Sequence, residues 1–251
     1  MEPYALPAQI YAAGLVFARV GAVVMLIPGI GEGFVPPRVR LALALVLSFS
    51  LAPIASKLLP PIPSTVGEMG GQVLHELLVG LMLGALLRFF LAALSVAGEV
   101  ISIQTTLSFA QTANPLQAQP GGAVSTFLSM LGLVLLFATD THHLFIAAMA
   151  RSYTLFAPAK HVLTTDAAAV AVQAAASTFA LGVQLAAPLI VFALVFNVAL
   201  GLVGRVMPQF QVFFAGTPLM LLAGLSIFAL SLGAGMLIWL DRYRDFMRLF
   251  T

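Results

Sequence analysis

The sequence contains no cysteine, so disulfide frameworks, thiolate metal sites and thiol nucleophiles are all excluded. It is equally short of charge. Asp, Glu, Lys and Arg make up 8% of its 251 residues, where a soluble domain carries about 25%. With 61% hydrophobic residues, the chain reads as an all-α integral membrane protein. A net charge of +2, thinly spread, leaves no basic patch for nucleic acid. No basic region precedes the first apolar run in MEPYALPAQI, so that run is expected to be retained rather than cleaved as a signal peptide. No P-loop, nucleophile–base pair or metal set is apparent, so neither an enzyme nor a cofactor is expected.

What is present is about six long, partly broken apolar segments. Ala8 to Pro28 is long enough to span and carries Arg19, which a mid-helix position directs toward protein or water rather than lipid. Pro28-Gly29-Ile30-Gly31 breaks it, and Pro37 is placed to open the next helix. Leu41 to Ile54 forms the second run. Val66 to about Ala97 carries Glu76, Gly80, Gly84 and Arg88 at steps of four, one drifting helical stripe whose GxxxG permits close approach of another helix. Ala123 to Ala138 and Leu144 to Phe156 flank Asp140-Thr141-His142-His143, read as a polar helix junction rather than a metal site. Thr164, Thr165 and Asp166 are N-cap candidates for the long segment Ala167 to Val203. Arg205 to Gln211 reads as a compact polar turn. After Val212 to Leu240, the tail sets Leu240, Tyr243, Met247 and Phe250 on one face and Asp241, Arg242, Asp245 and Arg248 on the other, the pattern of an interfacial amphipathic helix.

One stretch departs from this oily background. Gly98 to Gly122 holds Gln104, Thr105, Thr106, Ser108, Gln111, Thr112, Asn114, Gln117 and Gln119, with Glu99 its only ion. Pro115, Pro120 and the Gly121-Gly122 pair interrupt helix. Irregular polar backbone at membrane depth is tolerated only when buried in protein or lining a water-filled space, so on position and polarity this stretch either faces or fills a pore or is an ordinary connection outside the membrane.

Three ordered stretches resemble the FliR family of type III secretion export-gate proteins. They are Ala18-Arg19-Val20 through Pro28 with Pro36-Pro37-Arg38-Val39-Arg40; Ala97-Gly98-Glu99-Val100-Ile101-Ser102-Ile103-Gln104 with Leu107-Ser108-Phe109-Ala110 and Asn114-Pro115; and Gly204-Arg205-Val206-Met207-Pro208-Gln209-Phe210-Gln211 on to Gly216-Thr217-Pro218-Leu219. The family usually has Asp at the position of Asn114 and Asn at that of Gln211, which removes a possible charge at the first site. The resemblance implies a FliP-like helical part over 1–166 and a FliQ-like helical hairpin with its tail over 167–251. It implies one copy assembled with FliP-like and FliQ-like subunits, with FlhB and FlhA as further partners, in the inner membrane within the flagellar basal body. That assembly would be the channel for unfolded flagellar subunits, plugged by a loop at about 103–119. Gln104, Thr105, Leu107, Phe109, Gln111, Asn114 and Pro115 would belong to the plug. Phe109 would supply an apolar constriction. Arg205, Pro208, Gln209 and Gln211 would face the cytoplasmic entrance. Arg19, Glu76, Gly80, Gly84, Arg88 and Glu99 would serve helix packing.

Six crossings with Arg38, Arg40 and Arg205 on the cytoplasmic side put Arg242, Arg244 and Arg248 outside, against the positive-inside preference. Rival readings are the equivalent subunit of a virulence injectisome, a stand-alone solute transporter or channel, and an intramembrane enzyme. The transporter would predict paired broken helices in a repeat, and the two halves show no clear one.

Overall fold

The computed structural model describes residues 5–55, 58–108, 122–158, 164–207, 212–248 and 250. Among these, the chain forms seven α-helices and no strands: α1 (Ala5–Leu26), α2 (Pro37–Ala55), α3 (Val66–Gln104), α4 (Ala123–Ala138), α5 (His143–Leu155), α6 (Thr164–Val206) and α7 (Val212–Arg248). Five are long and apolar enough to cross a membrane, and the interrupted pair α4 and α5 would make a sixth span. At 1.5 Å per residue, the 43 residues of α6 extend about 65 Å, roughly twice the hydrocarbon thickness. The protein is an all-α integral membrane protein.

Several boundaries follow local chemistry. Pro37 opens α2, where its missing N–H costs nothing. Gly29 holds φ at 84° just past α1, a conformation open to glycine without penalty. Three other boundaries differ from the sequence expectation. The helix begun at Val66 runs on to Gln104, so the first residues of the polar stretch, including Ile103 and Gln104, are helical. Apolar burial of Ala97 and Ile101 holds these extra turns. Arg205 lies in the last turn of α6, not in a turn between helices, and there its charge favours the helix's negative end. The helix begins at Thr164, so Thr165 and Asp166 are helical residues rather than caps.

The chain forms two compact units. The first comprises 1–90, 136–175 and 244–251; the second comprises 91–135 and 176–243. In the first, α2 packs on α1 and α5. Contacts between α1 and α3 keep a nearly constant offset, so the two helices run parallel: Tyr11 with Gln72, Arg19 with Glu76, Ala22 with Gly80 and Leu26 with Gly84. A Cβ at Gly80 would strike the Arg19 carbonyl oxygen and the Ala22 Cβ. The GxxxG of α3 is thus where α1 lies closest.

In the second unit, the pairs Gly98 with Ser125, Ser95 with Ser129, and Leu94 with Gly132 show α3 and α4 running antiparallel. The pairs Leu200 with Gly216, Phe192 with Gly224, and Leu185 with Gly235 show α6 and α7 as an antiparallel hairpin. Much of the hairpin's surface is apolar and exposed, with Val191, Leu194 and Val195 on α6 and Leu219, Leu222 and Leu230 on α7.

Candidate functional site

Two sets of polar residues stand out against the apolar background. The first surrounds Arg19, whose side chain is 1% exposed. Its Nε donates to Glu76 Oε2 at 2.6 Å and its Nη2 donates to Glu76 Oε1 at 3.0 Å, a bidentate pair. Nη1 donates to the Ser152 carbonyl at 3.0 Å and to Ser152 Oγ at 3.3 Å, while Nη2 also donates to the Phe156 carbonyl at 3.0 Å. The five bonds match the guanidinium's five N–H donors. Its face lies 4.2 Å over the Tyr153 ring. Ser152 lies in the last turn of α5 and Phe156 just past it; the Ser152 carbonyl also accepts from the Phe156 N–H, so the buried cation adds its own bonds to the closure of that helix end. One charge on α1 therefore fixes α3 and α5 against it. His75 Nδ1 lies 3.5 Å from Glu76 Oε1, and neither ring nitrogen has a hydrogen bond among the described residues.

Other ions of this unit are peripheral. Arg88 reaches Glu32 at 3.4 Å with both side chains partly exposed. Arg40 donates to the Val35 and Glu32 carbonyls and ties down the loop before its own helix. At the junction between α4 and α5, Arg244 donates to Thr141 Oγ1 and the Thr139 carbonyl. Asp140, His142 and His143 each bring one donor atom within 4.8 Å of the others, a closer grouping than their spacing suggested; Asp140 and His143 are largely exposed.

The second set lies where α3 ends. Thr105 is buried, its Oγ1 donates to the Ile101 carbonyl at 2.8 Å, and its methyl group packs on Gly224 of α7. Gln104 and Leu107 are half-buried, and Thr106 turns the backbone with φ 61°. α3 therefore ends at Gln104, several residues inside the polar stretch. Phe109, Gln111, Asn114 and Pro115 of the expected plug lie outside the described residues, as do Pro208, Gln209 and Gln211. Gly122 resumes with φ 64° immediately before α4. Glu99, two turns earlier on α3, is exposed and has no ion pair among the described residues.

The family model for bacterial export proteins, family 1, matches residues 10–246, nearly the whole of this architecture. The chain belongs to family 1 of the bacterial export proteins. Relatives of this family-1 chain include the flagellar biosynthetic protein FliR of Caulobacter vibrioides, 56% identical over all 251 residues and the full length of both chains. FliR of Escherichia coli is 32% identical over 84% of this chain and 80% of its own length. FliR of Aquifex aeolicus is 30% identical over 94% and 91%.

Sequence reasoning identified Arg19 and Glu76 separately, the first from its cost in lipid and the second from the stripe on α3. It missed Ser152, Tyr153 and Phe156. No spacing signals them, because a backbone carbonyl at a helix end and a ring face are available in any sequence.

Proposed function

We propose that this family-1 protein is a subunit of the flagellar type III export gate, forming with FliP-like and FliQ-like subunits the channel through which unfolded flagellar proteins cross the inner membrane. The observation that carries the reading is the family match over 10–246, joined to relatives named for flagellar biosynthesis. Those names favour the flagellar system over an injectisome. One copy of the chain would join the FliP-like and FliQ-like subunits within the basal body, with FlhB and FlhA as further partners. Residues 1–166 would take the FliP-like part and 167–251 the FliQ-like hairpin and tail. The protein performs no catalysis in this reading; other components supply the energy.

The plug is assigned to about 103–119. Its amides and hydroxyls bond to one another when the gate is closed and to exported backbone when it opens. With Glu99 as the only nearby ion, few fixed charges are present to trap a passing chain. Shortening the stretch between Thr105 and Gln117 is expected to raise the leak of ions or small solutes through the assembled complex. An unchanged leak would count against the plug. Substitution of Arg205 or Pro208 is expected to reduce export while the complex still assembles; loss of assembly would make that segment architectural instead.

A further inference from the structure

Glu99 poses a physical problem that Glu76 does not. Glu76 is buried and doubly bonded to Arg19. Glu99 is exposed on α3, within a helix apolar enough to span, and has no ion pair among the described residues. Its own unit has only two cations, Arg205 and Arg242, and neither of them pairs with it. The stretches 109–121 and 208–211 contribute no lysine or arginine. Glu99 stands five residues before the end of the 39-residue α3, and a charged side chain left against lipid costs up to about 2.5–3.5 kcal/mol, the value on insertion scales for a helix centre.

The surroundings narrow the answer. On one flank of Glu99, Ser95 and Gly98 pack on α4; on the other, Ala93 and Val96 pack on Gly182 of α6. Glu99 itself is exposed between these two contacts. One turn on, on the same face, Ile103 is 61% exposed. A lone charge beside an exposed isoleucine is poorly suited to a wetted wall, which calls for polar neighbours. It suits a packed helix interface whose single ion meets its counter-ion on the other side.

We propose that Glu99 anchors a subunit interface and receives an arginine or lysine side chain from a helix of a neighbouring membrane subunit, with Ile103 packing beside it. The inference rests on the export-gate reading, which supplies the neighbours.

The test co-expresses the chain with the other gate subunits and measures, on native gels, the fraction recovered in the hetero-oligomer. Recovery of the wild-type chain only as a monomer would overturn the gate reading and this inference with it. Where the wild type assembles, Glu99→Gln should lower the assembled fraction about tenfold and Glu99→Asp should retain most of it. Glu99→Arg should abolish assembly, and exchanging the partner's intramembrane cation for glutamate should restore it. Glu99 is exposed, so these variants leave the isolated chain folded, checked by its unchanged helical circular dichroism. Normal assembly of Glu99→Gln, or no rescue of Glu99→Arg by any intramembrane cation of the co-purifying subunits, would overturn the ion pair and leave the gate reading standing.

Discussion

The two units solve the same problem in opposite ways. The first brings α1, α3 and α5 together around one fully bonded buried cation; the second brings α3, α4, α6 and α7 together through glycine, serine and alanine with no buried ion pair among the described residues. A buried ion pair demands one geometry, because any displacement leaves a desolvated charge unmatched. A small-residue seam gains its stability from many close van der Waals contacts, each weak. The difference teaches that the first unit is specified by a few irreplaceable atoms and the second by shape. It also explains why a second carboxylate, Glu99, is conspicuous where the packing otherwise needs no charge.

The sharpest way to break this comparison is at Arg19. Arg19→Ala is expected to destabilise the protein by about 3–5 kcal/mol, because Glu76 is left buried and unpaired. Unfolding of the purified chain in mixed micelles, followed by circular dichroism against the fraction of denaturing detergent, measures it. The double variant with Glu76→Ala should lose clearly less than the sum of the two single variants, since each single change already strands the partner.

Overpacking tests the second unit's dependence on shape. Gly98→Leu is expected to cost about 1–3 kcal/mol in the same assay, because any Cβ there meets the backbone of Ser125. Gly201→Leu, on the same type of helix but with open space around it, should cost far less and so serves as the control. An equal loss for both would mean that the seam does not hold the unit.

Smaller effects sharpen the comparison at the helix ends. Arg205→Ala should remove a favourable charge from the last turn of α6 and cost about 0.3–1 kcal/mol of stability, well below any effect it has on export. Arg248→Ala breaks only an exposed pair with Asp245 at 3.3 Å and should shift stability by less than about 0.5 kcal/mol.

Much of the fold is legible in the chain. Long apolar runs give the helices because a segment in lipid must satisfy its own backbone. Ala123 to Ala138 emerges with the bounds that its composition suggests, bracketed by glycine on one side and polar residues on the other. The two faces of the tail are legible too, with Leu240, Tyr243 and Met247 buried and Asp241, Arg242, Asp245 and Arg248 exposed as their helical spacing requires, but the apolar face is buried within the protein instead of being left for a membrane interface. The end of α3 is less so. Gln104 is a good helix former, and whether a helix continues through polar residues depends on what its apolar neighbours can bury against.

By itself, the sequence determines that this is a helical membrane protein, where most helices start and stop, and that Arg19 and Glu76 each need something other than lipid. These follow from local composition and from the cost of charge in hydrocarbon, which act on every segment separately. Only tertiary structure decides that those two residues meet each other, that the guanidinium also closes the end of α5, and that the GxxxG of α3 receives α1. Each of these depends on residues dozens of positions apart arriving at one distance and angle, and no local pattern encodes that arrival.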